Sequence, residues 1–117
     1  MKHLLAIASA TYLLLSLQLG DARAAGAFDG EWTGSATSTV GRCKPAEVTM
    51  TVQGRDVTGQ ARFDVDVPKI NGTVWDDGRF GATIGWQPLT GKFSPDGFEG
   101  TFKSGDCVWK MLLQRAK

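Results

Sequence analysis

Histidine and tyrosine are almost missing from this sequence of 117 residues, which has one of each, His3 and Tyr12. Cysteine occurs twice and proline four times, and neither charge sign dominates, with 13 Lys and Arg against 12 Asp and Glu. Each scarcity removes a class of function. Near-balanced charge leaves no electrostatic footprint for nucleic acid, whose binding proteins concentrate Lys and Arg on one face. A chain this short builds one small domain and has no material for a second.

The single long apolar run, residues 4–19, follows Lys2 and His3 and precedes Ala22-Arg23-Ala24. A basic start, an apolar stretch and small residues flanking a cut site form the order of a secretory signal peptide. Residues 1–24 are therefore expected to be a leader, and residues 25–117 a single exported domain. Ser9, Thr11, Ser16 and Gln18 interrupt the run, which falls short of the ~20 apolar residues of a spanning helix. No stable membrane insertion is expected once the leader is removed, and with no cysteine near the junction no lipid anchor is expected either.

Cleavage after Ala24 takes His3 and Tyr12 with it and leaves 93 residues with 11 basic and 11 acidic side chains. A domain without histidine has no Ser-His-Asp or Cys-His catalysis, no imidazole acid–base chemistry and no His-ligated zinc or haem. The remaining pair, Cys43 and Cys107, is even in number and meets an oxidising compartment, which predicts a disulfide. Redox dithiols sit two residues apart, and these two do not.

Past Ala25 the apolar residues alternate. Phe28, Gly30, Trp32, Gly34 and Ala36 share one parity, as do Val48, Met50 and Val52, then Phe63, Val65 and Val67. Phe80, Ala82, Ile84 and Trp86 continue the pattern, followed by Phe98, Gly100 and Phe102 and by Cys107, Trp109, Met111 and Leu113. Period two means half-buried strands, and no window has the spacing of an amphipathic helix. Turn chemistry separates the runs at 54–56, 67–69, 76–78, 86–88, 94–97 and 104–106, with Asp77-Gly78 and Asp96-Gly97 as the stronger hairpin signals. About eight antiparallel strands in a meander are expected, closing as a small up-and-down barrel or folding as a curled sandwich.

A weak internal repeat, 72–81 against 91–100, places one Asp-Gly turn in each copy. Neither copy has enough oxygen ligands in fixed order for a calcium loop, so each is expected to be a hairpin. Gly34, Gly59, Gly72, Gly81, Gly85, Gly91 and Gly100 fall inside apparent strands, where a small barrel needs bends.

The exported domain has four Trp and six Phe among 25 large apolar residues. Trp32 and Trp109 share the parity of their inward neighbours and are expected in the core. Trp75 has the opposite parity to Ile70 and Val74 and borders Asp76-Asp77-Gly78, while Trp86 borders a proline-containing turn. Trp75, Trp86, Asp76 and Asp77 together are the candidate binding surface, two rings at strand ends that can stack on a sugar, a lipid or a protein. Asp64 and Asp66 are expected on one outward face. A domain this small lacks the long loops that build a substrate cleft, so no enzyme is expected.

Phe28-Asp29-Gly30-x-Trp32, Gly41-x-Cys43 and Cys107-x-Trp109 resemble a group of short secreted proteins from rhizobia and related bacteria, along nearly all of the exported domain. Haem utilisation or adhesion has been ascribed to some of that group, but for haem only Met50 and Met111 remain here as side-chain iron ligands, and both fit the core parity. Gly30-x-Trp32 with Arg115 is similar to the calycin arrangement of lipocalins, avidins and the small periplasmic inhibitors of metalloproteases. The resemblance implies that Gly30, Trp32 and Arg115 close one barrel end, the Trp beneath the Arg. The inhibitors also have a cysteine soon after the first-strand Trp, as Cys43 follows Trp32, but they pair it early in the chain, whereas Cys107 is near the end.

These readings lead to an exported small β-barrel of the bacterial envelope, periplasmic or secreted and monomeric. It needs no cofactor or metal, and its partner is a small apolar ligand, a glycan or an envelope protein. The alternatives are an inhibitor of a protease or lytic enzyme, acting by a loop or by residues 25–31, and a structural or adhesion component of the envelope.

Overall fold

A computed structural model describes residues 26–116; the leader expected at 1–24 lies outside them. Eight strands follow one another: β1 (Gly30–Val40), β2 (Ala46–Gln53), β3 (Asp56–Arg62), β4 (Lys69–Val74), β5 (Arg79–Ile84), β6 (Gln87–Ser94), β7 (Gly97–Ser104) and β8 (Cys107–Arg115). Each pairs antiparallel with the next, and β1 pairs with β8, so the sheet closes on itself as an up-and-down barrel. The sandwich expected as an alternative does not form.

Alternation drives this outcome directly. In β2, Ala46, Val48, Met50 and Val52 are buried while Glu47, Thr49 and Gln53 face outward. Outward threonines, among them Thr33, Thr49 and Thr58, favour extended backbone because their branched Cβ restricts rotation. The buried residues form one cluster and are all apolar, and among the described residues no buried side-chain nitrogen or oxygen lacks a hydrogen-bond partner. Each fully buried Val, Leu, Ile, Phe or Met contributes about 1.5–3 kcal/mol relative to exposure.

Along the barrel axis the filling changes character. At the end holding residues 26–29 and the end of β8, here called the base, Phe93 meets Trp32 edge-on at 5.0 Å and Phe98 at 4.6 Å, with Phe80 5.6 Å away. Met50 and Met111 fill the middle. There several inward positions are glycine, and at Gly34 a side chain would run into the carbonyl of Leu112 on β8. Gly59 has the same relation to the carbonyl of Thr49 on β2, so both mark places where neighbouring strands coil too closely for a Cβ.

Two expected strand ends are corrected. The alternation of Phe63, Val65 and Val67 predicts a strand, but β3 stops at Arg62 and the chain doubles back: the Phe63 N–H donates to the Asp66 carbonyl at 2.9 Å and the Ala61 N–H to the Pro68 carbonyl at 3.1 Å. Val65 is therefore at a hairpin tip, 86% exposed. Asp64, Asp66 and Pro68 are poor strand formers, and they outweigh the β-branched residues between them. Trp86 likewise belongs to the two-residue turn between β5 and β6, where Gly85 takes φ 62°. That places Gly85 in a turn rather than inside a strand.

The base is closed by the three residues that the calycin resemblance singles out. The Arg115 guanidinium lies 4.6 Å from the centre of the Trp32 ring. Its Nη1 and Nη2 donate to the carbonyls of Asp29 and Ala27, both at 2.7 Å. Gly30 enters β1 at φ 129°, a conformation that other residues rarely adopt. The Trp32 indole N–H donates to the Phe28 carbonyl at 3.0 Å, and the Asp29 carboxylate accepts the N–H groups of Gly54 at 2.7 Å and Gly26 at 2.9 Å. Residues 26–29 are thereby tied across the base.

Candidate functional site

Four connections lie at the opposite end, the mouth: residues 41–45, 63–68, 85–86 and 105–106. The disulfide expected from composition is present there, joining Cys43 to Cys107 at a Cα separation of 6.2 Å. It holds the β1–β2 loop against the start of β8. Next to it the Trp109 indole N–H donates to the Lys44 carbonyl at 3.1 Å, a second tie on the same loop.

Between these connections opens a cleft of about 620 Å³, within the ~300–1,000 Å³ of small-molecule sites. Aromatic rings line its inner part. Phe102 and Trp109 stack at 4.9 Å with planes 5° apart, and half-buried Phe63 meets Phe102 at 6.5 Å and Trp109 at 5.8 Å, both nearly perpendicular. The outer wall comes from the two turn tips described above. Gly85 donates its N–H to the Lys69 carbonyl at 2.7 Å, so the Gly85-Trp86 turn lies beside the Pro68 end of the hairpin. Trp86 is 84% exposed, and Val65 and Val67 are exposed as well. All three line the cleft.

Three ionised groups face it: Lys44, Asp64 and Asp66. Lys44 Nζ is 2.6 Å from the Asp64 carboxylate, an exposed pair of the kind that contributes little to stability. Asp64 and Asp66 are both exposed, but so are Val65 and Val67 of the opposite parity, because residues 63–68 leave the sheet; the separate outward face expected for the two aspartates does not form. Among the described residues no group of three or more Asp, Glu, Cys or His is placed to hold a metal ion.

The residues singled out as one binding surface are not brought together. Trp86 is at the mouth, whereas Trp75, Asp76 and Asp77 form the β4–β5 connection at the base, so the strands separate the two tryptophans. Trp75 lies over Gly81, with the Arg79 guanidinium 5.7 Å from its ring centre. Asp77 fixes that arginine through Nε at 2.8 Å and through its backbone N–H at 3.1 Å. The Arg79 backbone hydrogen bond, helped by the Arg79 charge, holds the Asp77 carboxyl below its usual value. Asp76 is 3.9 Å from Arg55. This is a braced turn in which Trp75 remains 40% exposed.

Sequence reasoning missed Phe63, Phe102 and Val65 as site residues. One signal was available: Phe63 has inward parity, and the Asp-Val-Asp-Val-Pro that follows it offers turn formers where a strand should continue. Comparison of the chain with protein-family models, with curated proteins and with solved structures finds no significant match.

Proposed function

We propose that this chain is an exported, non-catalytic binding module of the bacterial envelope, monomeric in the periplasm or outside the cell, and that the mouth of its barrel is the binding site. One observation carries the reading: Trp86 and Val65, the two most exposed large apolar side chains among the described residues, both line the same aromatic-walled cleft. An isolated exposed apolar residue needs no explanation, whereas several that converge on a concave site mark a ligand or partner surface. The packed interior leaves room for a guest at the mouth but not along the axis. That favours a small apolar ligand, the ring of a glycan or a short apolar segment of a partner. The disulfide is compatible with export to an oxidising compartment.

The inhibitor reading retains one favourable observation, the 61–68 hairpin with its exposed Val65 tip. Its other form, a free N-terminal arm, loses support because residues 26–29 are bound to Arg115 and Gly54.

The test is titration of the purified domain with an environment-sensitive hydrophobic dye, followed by dye emission and by tryptophan emission. Saturable binding is expected, lost in Trp86→Ala and in Phe63→Ala but retained in Trp75→Ala. Equal binding by all four proteins, or none by the parent, would remove the mouth as the site.

A further inference from the structure

The ionised groups of the cleft give it a sign, which deepens the reading of the mouth as a binding site and rests on it. Lys44 is engaged by Asp64 at 2.6 Å. Asp66 has no ion-pair partner among the described residues. With one lysine and two aspartates in the lining, the cleft has a formal charge of −1. The one cation in that lining is thus already paired with a carboxylate. A fatty-acid carboxylate or a phosphate placed there would meet Asp66 and find its only lysine already engaged.

The aromatic wall acts in the same direction. Ring faces are the negative pole of an aromatic quadrupole and attract cations, most strongly where the charge is soft and weakly hydrated, as in quaternary ammonium groups. Phe63, Phe102, Trp86 and Trp109 all line the cleft. Trp86 is 84% exposed, so its ring remains open to a guest. Beside the rings Val65, Val67 and Ile84 supply a surface for a hydrocarbon body.

We infer that the mouth selects a small amphiphilic organic cation, an alkylammonium or quaternary ammonium group on an apolar chain. The apolar body lies against Val65, Val67 and the aromatic wall. The cationic head lies towards Trp86 and Asp66 at the rim, where it remains partly hydrated.

The test uses three probes that share one hydrocarbon chain and differ in head group: dodecyltrimethylammonium, dodecanoate and dodecyl maltoside. Each is titrated below its micelle concentration at low ionic strength, by calorimetry and by tryptophan emission. The ammonium probe is expected to bind about two- to fivefold more tightly than the neutral one, the range that an exposed cation–π contact supplies. Dodecanoate is expected to bind least. Asp66→Asn should lower the ratio of ammonium to maltoside affinity towards one, with an unaltered thermal transition showing that the variant is folded. If maltoside or dodecanoate binds as tightly as the ammonium probe, the charge preference is overturned while the apolar site stands. If none of the three binds, both readings fall.

Discussion

Replacing both Cys43 and Cys107 with alanine tests how the barrel is stabilised. The bridge joins residues 64 apart in sequence. In the chain-entropy treatment, closing a loop of that size removes about 4 kcal/mol of denatured-state entropy, a large share of the ~5–15 kcal/mol that holds a small domain together. Alanine is the right replacement at Cys107, which is 4% exposed, because a serine hydroxyl buried without a partner would add its own cost of about 1–3 kcal/mol. For a domain of this size the loss corresponds to a fall in Tm of roughly 15–30 °C. Urea denaturation followed by tryptophan emission supplies the discriminating quantity. If the bridge acts on the unfolded chain, removing it expands that chain, and the denaturant slope m must rise as the midpoint falls. Parent protein with reductant should reproduce the variant, and reductant should not affect the variant. A loss below about 1 kcal/mol would refute the entropy argument. A full loss at unchanged m would instead assign the stability to native contacts, such as the Trp109 bond to the Lys44 carbonyl.

Other expectations follow from single contacts. Gly34→Ala places a methyl group against the Leu112 carbonyl between β1 and β8 and should cost about 3 kcal/mol or more by thermal unfolding, at the upper end of overpacking costs. Arg115→Met keeps the length of the chain over Trp32 but removes donors to the Asp29 and Ala27 carbonyls, so a loss of about 1–3 kcal/mol is expected, with faster amide exchange in residues 26–29. Trp86→Ala should change stability by less than about 0.5 kcal/mol, since its ring is 84% exposed; a larger fall would mean that the ring is structural. The Asp77 carboxyl is held below its ordinary value, so its support of the β4–β5 turn is present above the unfolded pKa and is lost as pH falls through the lower folded one. Carbon-detected titration should give an Asp77 midpoint below 3.8, raised only in part in Arg79→Ala, which removes the guanidinium but keeps the backbone N–H that donates to Asp77.

The strands were legible because inward and outward positions differ chemically at nearly every step: Val48, Met50 and Val52 against Glu47, Thr49 and Gln53 leaves one face to bury. The turns were legible where Gly follows Asp. Closure into a barrel was harder to read, since it depends on β1 meeting β8 at the register Trp32↔Arg115, a long-range pairing that local periodicity does not encode. The calycin resemblance, by contrast, named Gly30, Trp32 and Arg115, which do meet at the base. Alternation failed at the mouth, where it continued through Phe63-Asp64-Val65-Asp66-Val67 and into Trp86. A hairpin arm that leaves the sheet keeps the period of the strand it extends, so the pattern cannot show where the sheet ends. The same error paired Trp75 with Trp86: both were known to be near strand ends, but which end of a barrel a turn occupies depends on whether an odd or even number of strands lies between.

The base also brings the two ends of the described residues side by side. Arg115 reaches back to Ala27 and Asp29, and the Ala116 N–H donates to the Glu31 carbonyl at 2.8 Å. A short linker from residue 116 to residue 26 would therefore span little distance, and new termini could be opened at the two-residue turn 95–96, far from the mouth. Such a circular permutant would keep every neighbouring strand pair of the barrel. In it the former first and last strands would be joined locally, while β6 and β7 became the distant pair. The order in which strands meet during folding would change, and the cleft would not.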